Sequence, residues 1–347
     1  MRRLRRSLPG IAMVLVLGLA PAHAQAPAAE PPTAQLRLLP GAEAPPAAGG
    51  PAIAPAVDIP TLPDPKADLA YGAYQRGLYV TALREATARL GGNPDDAVAM
   101  TLLGELYAQG LGVAQDPGKA ADWYRLAHAK GNADATFALA MLTLQGRGAT
   151  KDEKAGLALL EEAAGKGHPL ASYNLAVVLI GRGKPEDMKR AATLVTRAAE
   201  MEVADAQYAL AVLMREGRGV NKDPVEAAIW MSRAAGNGHI AAQVEYAIML
   251  FNGEGTTRDE TAAARLFASA AARGNAIAQN RLARILAAGR GLPRNLVEAA
   301  SWHILAAGQG LADTWLDDAL KGLTPAERQK AEDLARRRSN DLALIGN

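Results

Sequence analysis

Five histidines are the residues best suited to chemistry near neutral pH, as general bases or metal ligands. None has the company that either role needs. His128 has no partner at ligand spacing, and no His-Glu-x-x-His occurs. His168 and His239 each follow a glycine at a place where Asn132 and Asn275 stand elsewhere in the chain, so they read as turn residues. His303 takes the place held by Tyr124, Met231 and Phe267, which reads as a packed ring, and His23 lies in an alanine-rich N-terminal stretch. The chain has no cysteine, which excludes disulfides, Cys-ligated zinc, iron–sulfur clusters, a thiol nucleophile and a lipoprotein acyl anchor. Neither Ser-x-x-Lys nor Gly-x-Ser-x-Gly is present, which weakens a hydrolase or penicillin-recognising reading. The Gly-x-Gly pairs lack the third glycine of a dinucleotide fingerprint, and there is no phosphate loop. No catalytic residue, cofactor or metal site is expected.

The glycines mark a repeat instead. The pairs are Gly110/Gly112, Gly146/Gly148, Gly181/Gly183, Gly217/Gly219, Gly253/Gly255 and Gly289/Gly291, spaced by 36, 35, 36, 36 and 36 residues. A further turn position follows 19 residues after each pair: Gly131, Gly167, Glu202, Gly238, Gly274 and Gly310. Asp or Asn stands four residues after each second glycine, at Asp116, Asp152, Asp187, Asp223, Asp259 and Asn295. So many coincidences in register define tandem structural units.

Each position has a physical task. The stretch before each glycine pair carries apolar and small groups at helical spacing, with Gly104, Ala140, Ala176, Ala211, Ala247 and Ala283 letting a neighbouring helix approach. Glycine then ends that helix, because the left-handed capping conformation costs it least. The Asp or Asn caps a second helix, on which Trp123, Leu159, Leu194, Trp230, Leu266 and Trp302 form one row, read as core between repeats. Each unit is thus a helical hairpin that must stack on its neighbours to bury both faces. Unit three departs: it is expected to lack one residue in its first helix, to carry Glu202 in place of the turn glycine, and to pack less regularly.

These residues resemble the Sel1-like repeat family, relatives of the tetratricopeptide repeats. The likeness is carried by Leu103-Gly104-Glu105-Leu106-Tyr107-Ala108-Gln109-Gly110-Leu111-Gly112-Val113, Asp116, Lys119-Ala120 and Trp123-Tyr124, and recurs in Leu210-Ala211, Gly217-Arg218-Gly219-Val220, Asp223 and Ala227-Ala228-Ile229-Trp230. It implies an all-α, right-handed α/α superhelical solenoid. Its six units are expected at 96–131, 132–167, 168–202, 203–238, 239–274 and 275–310. A degenerate tetratricopeptide-like cap is expected at 66–95, and capping helices with a tail at 311–347. In that last segment, Ala312–Leu320 is expected to begin another helix with Trp315 covering the final unit. Thr324-Pro325-Ala326-Glu327 opens a charged helix to about Arg338, and Arg336-Arg337-Arg338 reads as its solvated end.

The N-terminus has the form of a cleaved export signal: Arg2 to Arg6, an apolar run Ile11–Ala20, then Ala22-His23-Ala24 with cleavage after Ala24. Pro21 stops the run short of the ~20 residues of a membrane span. Residues 25–65 hold 11 of the chain's 20 prolines and read as a disordered linker. The formal charge is +2; removing Arg2, Arg3, Arg5 and Arg6 would make it −2, which argues against nucleic-acid binding. A periplasmic or secreted protein is expected.

With no chemistry in view, binding remains. If the first helices line a concave face, one row along it reads Thr101, Phe137, Tyr173, Tyr208, Val244, Asn280, and the row four residues on reads Glu105, Met141, Val177, Val212, Ile248, Arg284. The central members, Phe137, Met141, Tyr173, Val177, Tyr208, Val212, Val244 and Ile248, are the candidate partner-binding residues: an apolar groove with a polar rim for a protein or peptide. The same rows also read as packing between hairpins, and that is the stronger reading. The resemblance implies a non-enzymatic interaction scaffold or regulator of the bacterial cell envelope. Exported relatives are similar to periplasmic regulators of sensor kinases, and others are virulence factors that contact host proteins. Binding of peptidoglycan or another glycan is the alternative. The β-lactam binding or hydrolysis credited to cysteine-rich relatives is remote, since this chain lacks their cysteines.

Overall fold

The computed structural model describes residues 68–148 and 150–345. The export signal and the proline-rich linker expected from the sequence lie outside them. Sixteen helices and no strand occur among the described residues: α1 (Leu69–Gln75), α2 (Tyr79–Gly92), α3 (Ala97–Gln109), α4 (Pro117–Ala129), α5 (Ala133–Gln145), α6 (Glu153–Gly165), α7 (Pro169–Arg182), α8 (Pro185–Glu200), α9 (Ala204–Glu216), α10 (Pro224–Gly236), α11 (Ile240–Asn252), α12 (Glu260–Ala272), α13 (Ala276–Ala288), α14 (Leu296–Gly308), α15 (Thr314–Ala319) and α16 (Pro325–Ile345). The fold class is the all-α solenoid of tandem hairpins. The chain divides within α7, after Val177, into two compact units.

In the first unit, α1 pairs with α2, α3 with α4 and α5 with α6. The core is small-residue and aliphatic, as the scarcity of aromatics requires: Ala99, Leu103, Leu106, Ala120, Ala135 and Leu142 are almost wholly buried. Gly104 shows why a small residue is needed mid-helix. A Cβ there would stand 2.5 Å from the Tyr124 ring of α4. In the second unit α9 pairs with α10, α11 with α12 and α13 with α14, while α16 packs along α14. Three glutamines one repeat apart, Gln207, Gln243 and Gln279, are buried there; each donates to a backbone carbonyl at the end of the preceding hairpin, of Ala199, Ala235 and Ala271.

The expected helix caps are present in five of the six units. Asp116, Asp152, Asp223, Asp259 and Asn295 each accept a backbone N–H of the helix they open, satisfying donors that the helix leaves orphaned. The second glycine of five of the six pairs does more than permit a turn. At Gly148, φ is 73° and an added Cβ would lie 2.0 Å from the Pro117 carbonyl oxygen, at the start of α4 one hairpin earlier. Gly255 meets the Pro224 carbonyl in the same way, at 2.1 Å. The glycine pair therefore docks the connection onto the preceding hairpin in every unit except the third, where Gly183 meets nothing within 4 Å.

Unit three corrects the sequence reading. Its first helix, α7, is not short: it runs through Gly181 to Arg182, and Gly183 (φ 69°) follows it instead. The connection shrinks to Gly183-Lys184, so α8 begins three residues early at Pro185. Asp187 consequently sits in the first turn of α8, and the capping position falls to Lys184, whose side chain caps nothing. At the C-terminus α16 runs on to Ile345, well beyond Arg338. Arg338 is not a free helix end: its guanidinium reaches Glu298 and Ser301 of α14 and lies 4.0 Å from the Trp302 ring centroid. The Thr324/Glu327 capping box forms reciprocally, as its sequence implies.

Candidate functional site

The first of the two candidate rows meets the start of the following hairpin. Phe137 stacks on His168 at 4.5 Å between ring centroids, and Tyr208 on His239 at the same distance. At the last repeat Asn280 donates to Asp313 at 2.7 Å. His168, His239 and Asp313 are in turn the N-caps of α7, α11 and α15, accepting the N–H groups of Ala171, Ala242 and Leu316. At Phe137, Tyr208 and Asn280 the row therefore locks its hairpin to the capping residue of the next.

That geometry divides the eight candidates. Phe137, Met141, Val212 and Val244 are buried, between 1% and 4% exposed, and have no surface to offer a partner. Tyr173, Val177, Tyr208 and Ile248 are half-buried. Tyr208 donates its hydroxyl to Glu245 at 2.7 Å, and Glu245 also accepts from Arg215. The polar members expected at the rim are engaged within the fold. Glu105 is only 1% exposed, accepting from Tyr124 Oη at 2.8 Å and from Gln109, and burial pushes its carboxyl above the usual range. Arg284 grips Asp313 through two hydrogen bonds of 2.6 and 2.8 Å. Burial alone would raise the Asp313 pKa, but hydrogen bonds from Arg284 and Asn280 outweigh it and hold it at about 2.

The histidines read as turn residues are turn residues of a defined kind. A backbone N–H donates to Nδ1 of His168 and His239, so that nitrogen is unprotonated, and Nε2 faces Asp134 at 3.3 Å and Asp205 at 3.5 Å. His303 is buried with Nε2 2.8 Å from Asp317, and His128 meets Thr136 at 3.0 Å. No cluster of acidic and histidine groups able to hold a metal occurs among the described residues. Trp230 and Trp302 are buried, each with an arginine over its ring, and Trp123 is partly so.

Trp315 departs from expectation. It does not cover the last unit; Leu316 does, wholly buried, while Trp315 stands 45% exposed. It borders a groove of about 270 Å³ in the second unit, floored by Ile248, Phe251, Phe267 and Ile285. Arg281, Arg284 and Arg290 rim it. Ile248 is the one candidate of the eight that lines this groove. The sequence signal for it was the repeat's polar end, Arg284 and Trp315, where the aliphatic pattern breaks.

An all-α protein of in-register helical hairpins, with caps and glycine docking repeated along it, is a repeat protein by construction. The family pattern of the Sel1 repeat matches residues 97–132, 133–168, 169–203, 204–239, 240–275 and 276–311, each starting one residue later than read from the glycines, and the chain belongs to that family. Sel1 repeats generally mediate protein–protein interaction. Among solved structures, a protective antigen present in uropathogenic Escherichia coli strains, displaying an SLR fold, is 25% identical over 77% of this chain and 67% of that one, with a TM-score of 0.51. A Sel1 repeat protein from Oxalobacter formigenes is 24% identical over 77% of this chain and 94% of its own, with a TM-score of 0.39. An immunity protein from Pseudomonas aeruginosa is 18% identical over 58% and 77%, also at 0.39. No curated protein matches the sequence. No helix among the described residues is long and apolar enough to cross a membrane.

Proposed function

We propose that this protein is a non-enzymatic protein–protein interaction scaffold or regulator that acts in the bacterial cell envelope. The observation that carries this reading is the run of six Sel1 repeats whose reactive side chains are spent on capping and packing, leaving an open groove rather than a catalytic constellation. Export rests on the signal pattern that ends at Ala24. The test is crosslinking of the full-length, C-terminally tagged chain in cells, with the captured proteins identified by mass spectrometry and the N-terminus of the recovered chain sequenced. Specific capture of an envelope protein by a chain beginning at Gln25 is expected. A chain retaining Met1 in the cytoplasm would overturn the envelope reading. Absence of any specific protein, together with co-sedimentation on purified peptidoglycan sacculi, would replace the scaffold by a glycan binder.

A further inference from the structure

The groove beside Trp315 joins an apolar floor to a basic rim. Its floor is apolar, with Ile248 and Phe251 from α11, Phe267 from α12 and Ile285 from α13, and no carboxylate lines it. At about 270 Å³ it falls below the roughly 300–1,000 Å³ of clefts that enclose drug-sized ligands or cofactors, and suits one inserted side chain. Around that floor stand three guanidinium groups and an indole.

The arginines are arranged for use. Arg284 spends Nε and Nη2 on Asp313, and Arg290 spends Nε and Nη2 on Glu260, so both are held in place with the Nη1 donors left over. Each also lies by an aromatic ring, Arg284 5.3 Å from Trp315 and Arg290 4.2 Å from Phe251. Arg281, one helical turn before Arg284 on α13, is exposed and makes no ion pair among the described residues. A fixed pair of partly satisfied guanidiniums beside a free one, above an apolar floor, is complementary to carboxylates flanking a large apolar side chain.

We propose that this groove docks an acidic peptide segment of a partner protein, with one aromatic or large aliphatic side chain inserted on the half-buried Ile248 and Phe251 and its neighbouring carboxylates on Arg281, Arg284 and Arg290. This rests on the scaffold reading and gives that scaffold its binding site and the chemistry of its partner. Of the two candidate rows only Ile248 and Arg284 take part.

The test uses the full-length chain and fluorescence anisotropy with a labelled peptide, Gly-Asp-Glu-Phe-Asp-Glu-Leu, its Asn/Gln counterpart without the charges, and a version with Ser for Phe. The acidic Phe peptide is expected to bind at least about tenfold more tightly than either control, and to weaken as salt is raised. Arg281→Glu and Trp315→Ala should each weaken it by about tenfold or more. Both side chains are exposed, so circular dichroism should show unchanged helices; Arg265→Glu, on α12 outside the groove, should bind as wild type. Equal binding of the acidic and uncharged peptides, binding unaffected by the two groove variants, or no binding of the acidic peptide would each overturn the proposal. Its failure and that of the scaffold reading separate cleanly. If the crosslinked protein is still captured by the Arg281→Glu, Trp315→Ala chain, the groove is wrong and the scaffold stands; if nothing is captured by wild type, the scaffold reading itself fails.

Discussion

The ring of Phe137 lies 4.5 Å from the imidazole of His168 and within 23° of parallel to it, although Phe137 belongs to one hairpin and His168 caps the next. Tyr208 and His239 repeat the arrangement at 4.5 Å and 18°. One side chain thus does two jobs: its Nδ1 satisfies an orphaned backbone donor while its face carries an aromatic from the hairpin before. Asparagine at the equivalent positions can do only the first.

The arrangement makes stability depend on pH. Burial lowers the His239 pKa, while Asp205 and Glu245 oppose that and Arg273 reinforces it. Protonation would also place an N–H at Nδ1 against the N–H of Ala242. A histidine whose folded pKa is depressed contributes stability that is present above its unfolded value of about 6.5 and is lost as pH falls toward the folded value. Urea midpoints measured between pH 7.5 and 5 should fall for wild type. His239→Asn keeps a cap of the kind seen at Asn275 and should show a flatter decline. An unchanged slope in the variant would exclude His239 as its source.

Glu202 is the one non-glycine with positive φ among the described residues, at 62°, where the other units have glycine. A side chain in the left-handed region costs about 1–2 kcal/mol, and glycine's greater freedom in the unfolded chain returns about 0.5–1 of that. Glu202→Gly should therefore stabilise the second unit by about 0.5–1 kcal/mol, read as a higher denaturant midpoint. Its side chain is exposed, so no lost packing offsets the gain.

What was legible in the sequence follows from this division of labour. Caps and turn glycines are local, so Asp116, Asp223 and Gly131 could be placed from spacing alone. The reach of Gly148 to Pro117 is not local, and the glycine pattern told of a turn but not of its contact. Unit three misled because a deletion of one residue can be absorbed by either helix or by their connection. Helix hydrogen bonding continued through Gly181, and the connection shortened. The candidate rows shared a helix face, as periodicity requires. Which hairpin covers that face depends on stacking, and stacking buried Phe137 and Val212. The groove needed Trp315 to stand out and Leu316 to turn in, a choice between adjacent residues that composition does not make.

Two glycines on either side of α5 distinguish backbone conformation from close approach. Gly131 has φ 83° and nothing within 4 Å of an added Cβ, so Gly131→Ala should cost only about 1 kcal/mol, the conformational part. Gly148→Ala adds an impossible contact with the Pro117 carbonyl and should cost about 3 kcal/mol or more. Equal losses in thermal unfolding would mean that the connection can move away from α4.

Met141 decides between the two readings of the candidate rows. It is 3% exposed in α5, among buried neighbours Phe137, Ala138 and Leu142. An ionised carboxylate there would have no donor to replace water, while the methionine's own packing would be lost. Met141→Asp should therefore lower stability by about 3–4 kcal/mol and broaden or abolish the folding transition of the first unit. Met141→Leu, similar in volume, should cost less than about 1.5 kcal/mol. If packing is the role, peptide binding at the Trp315 groove will survive Met141→Leu unchanged, because that groove lies wholly within the second unit. A folded Met141→Asp chain with wild-type stability that fails to capture the crosslinked partner would show the opposite: that the buried row opens to a ligand and that the interaction surface lies on the first unit.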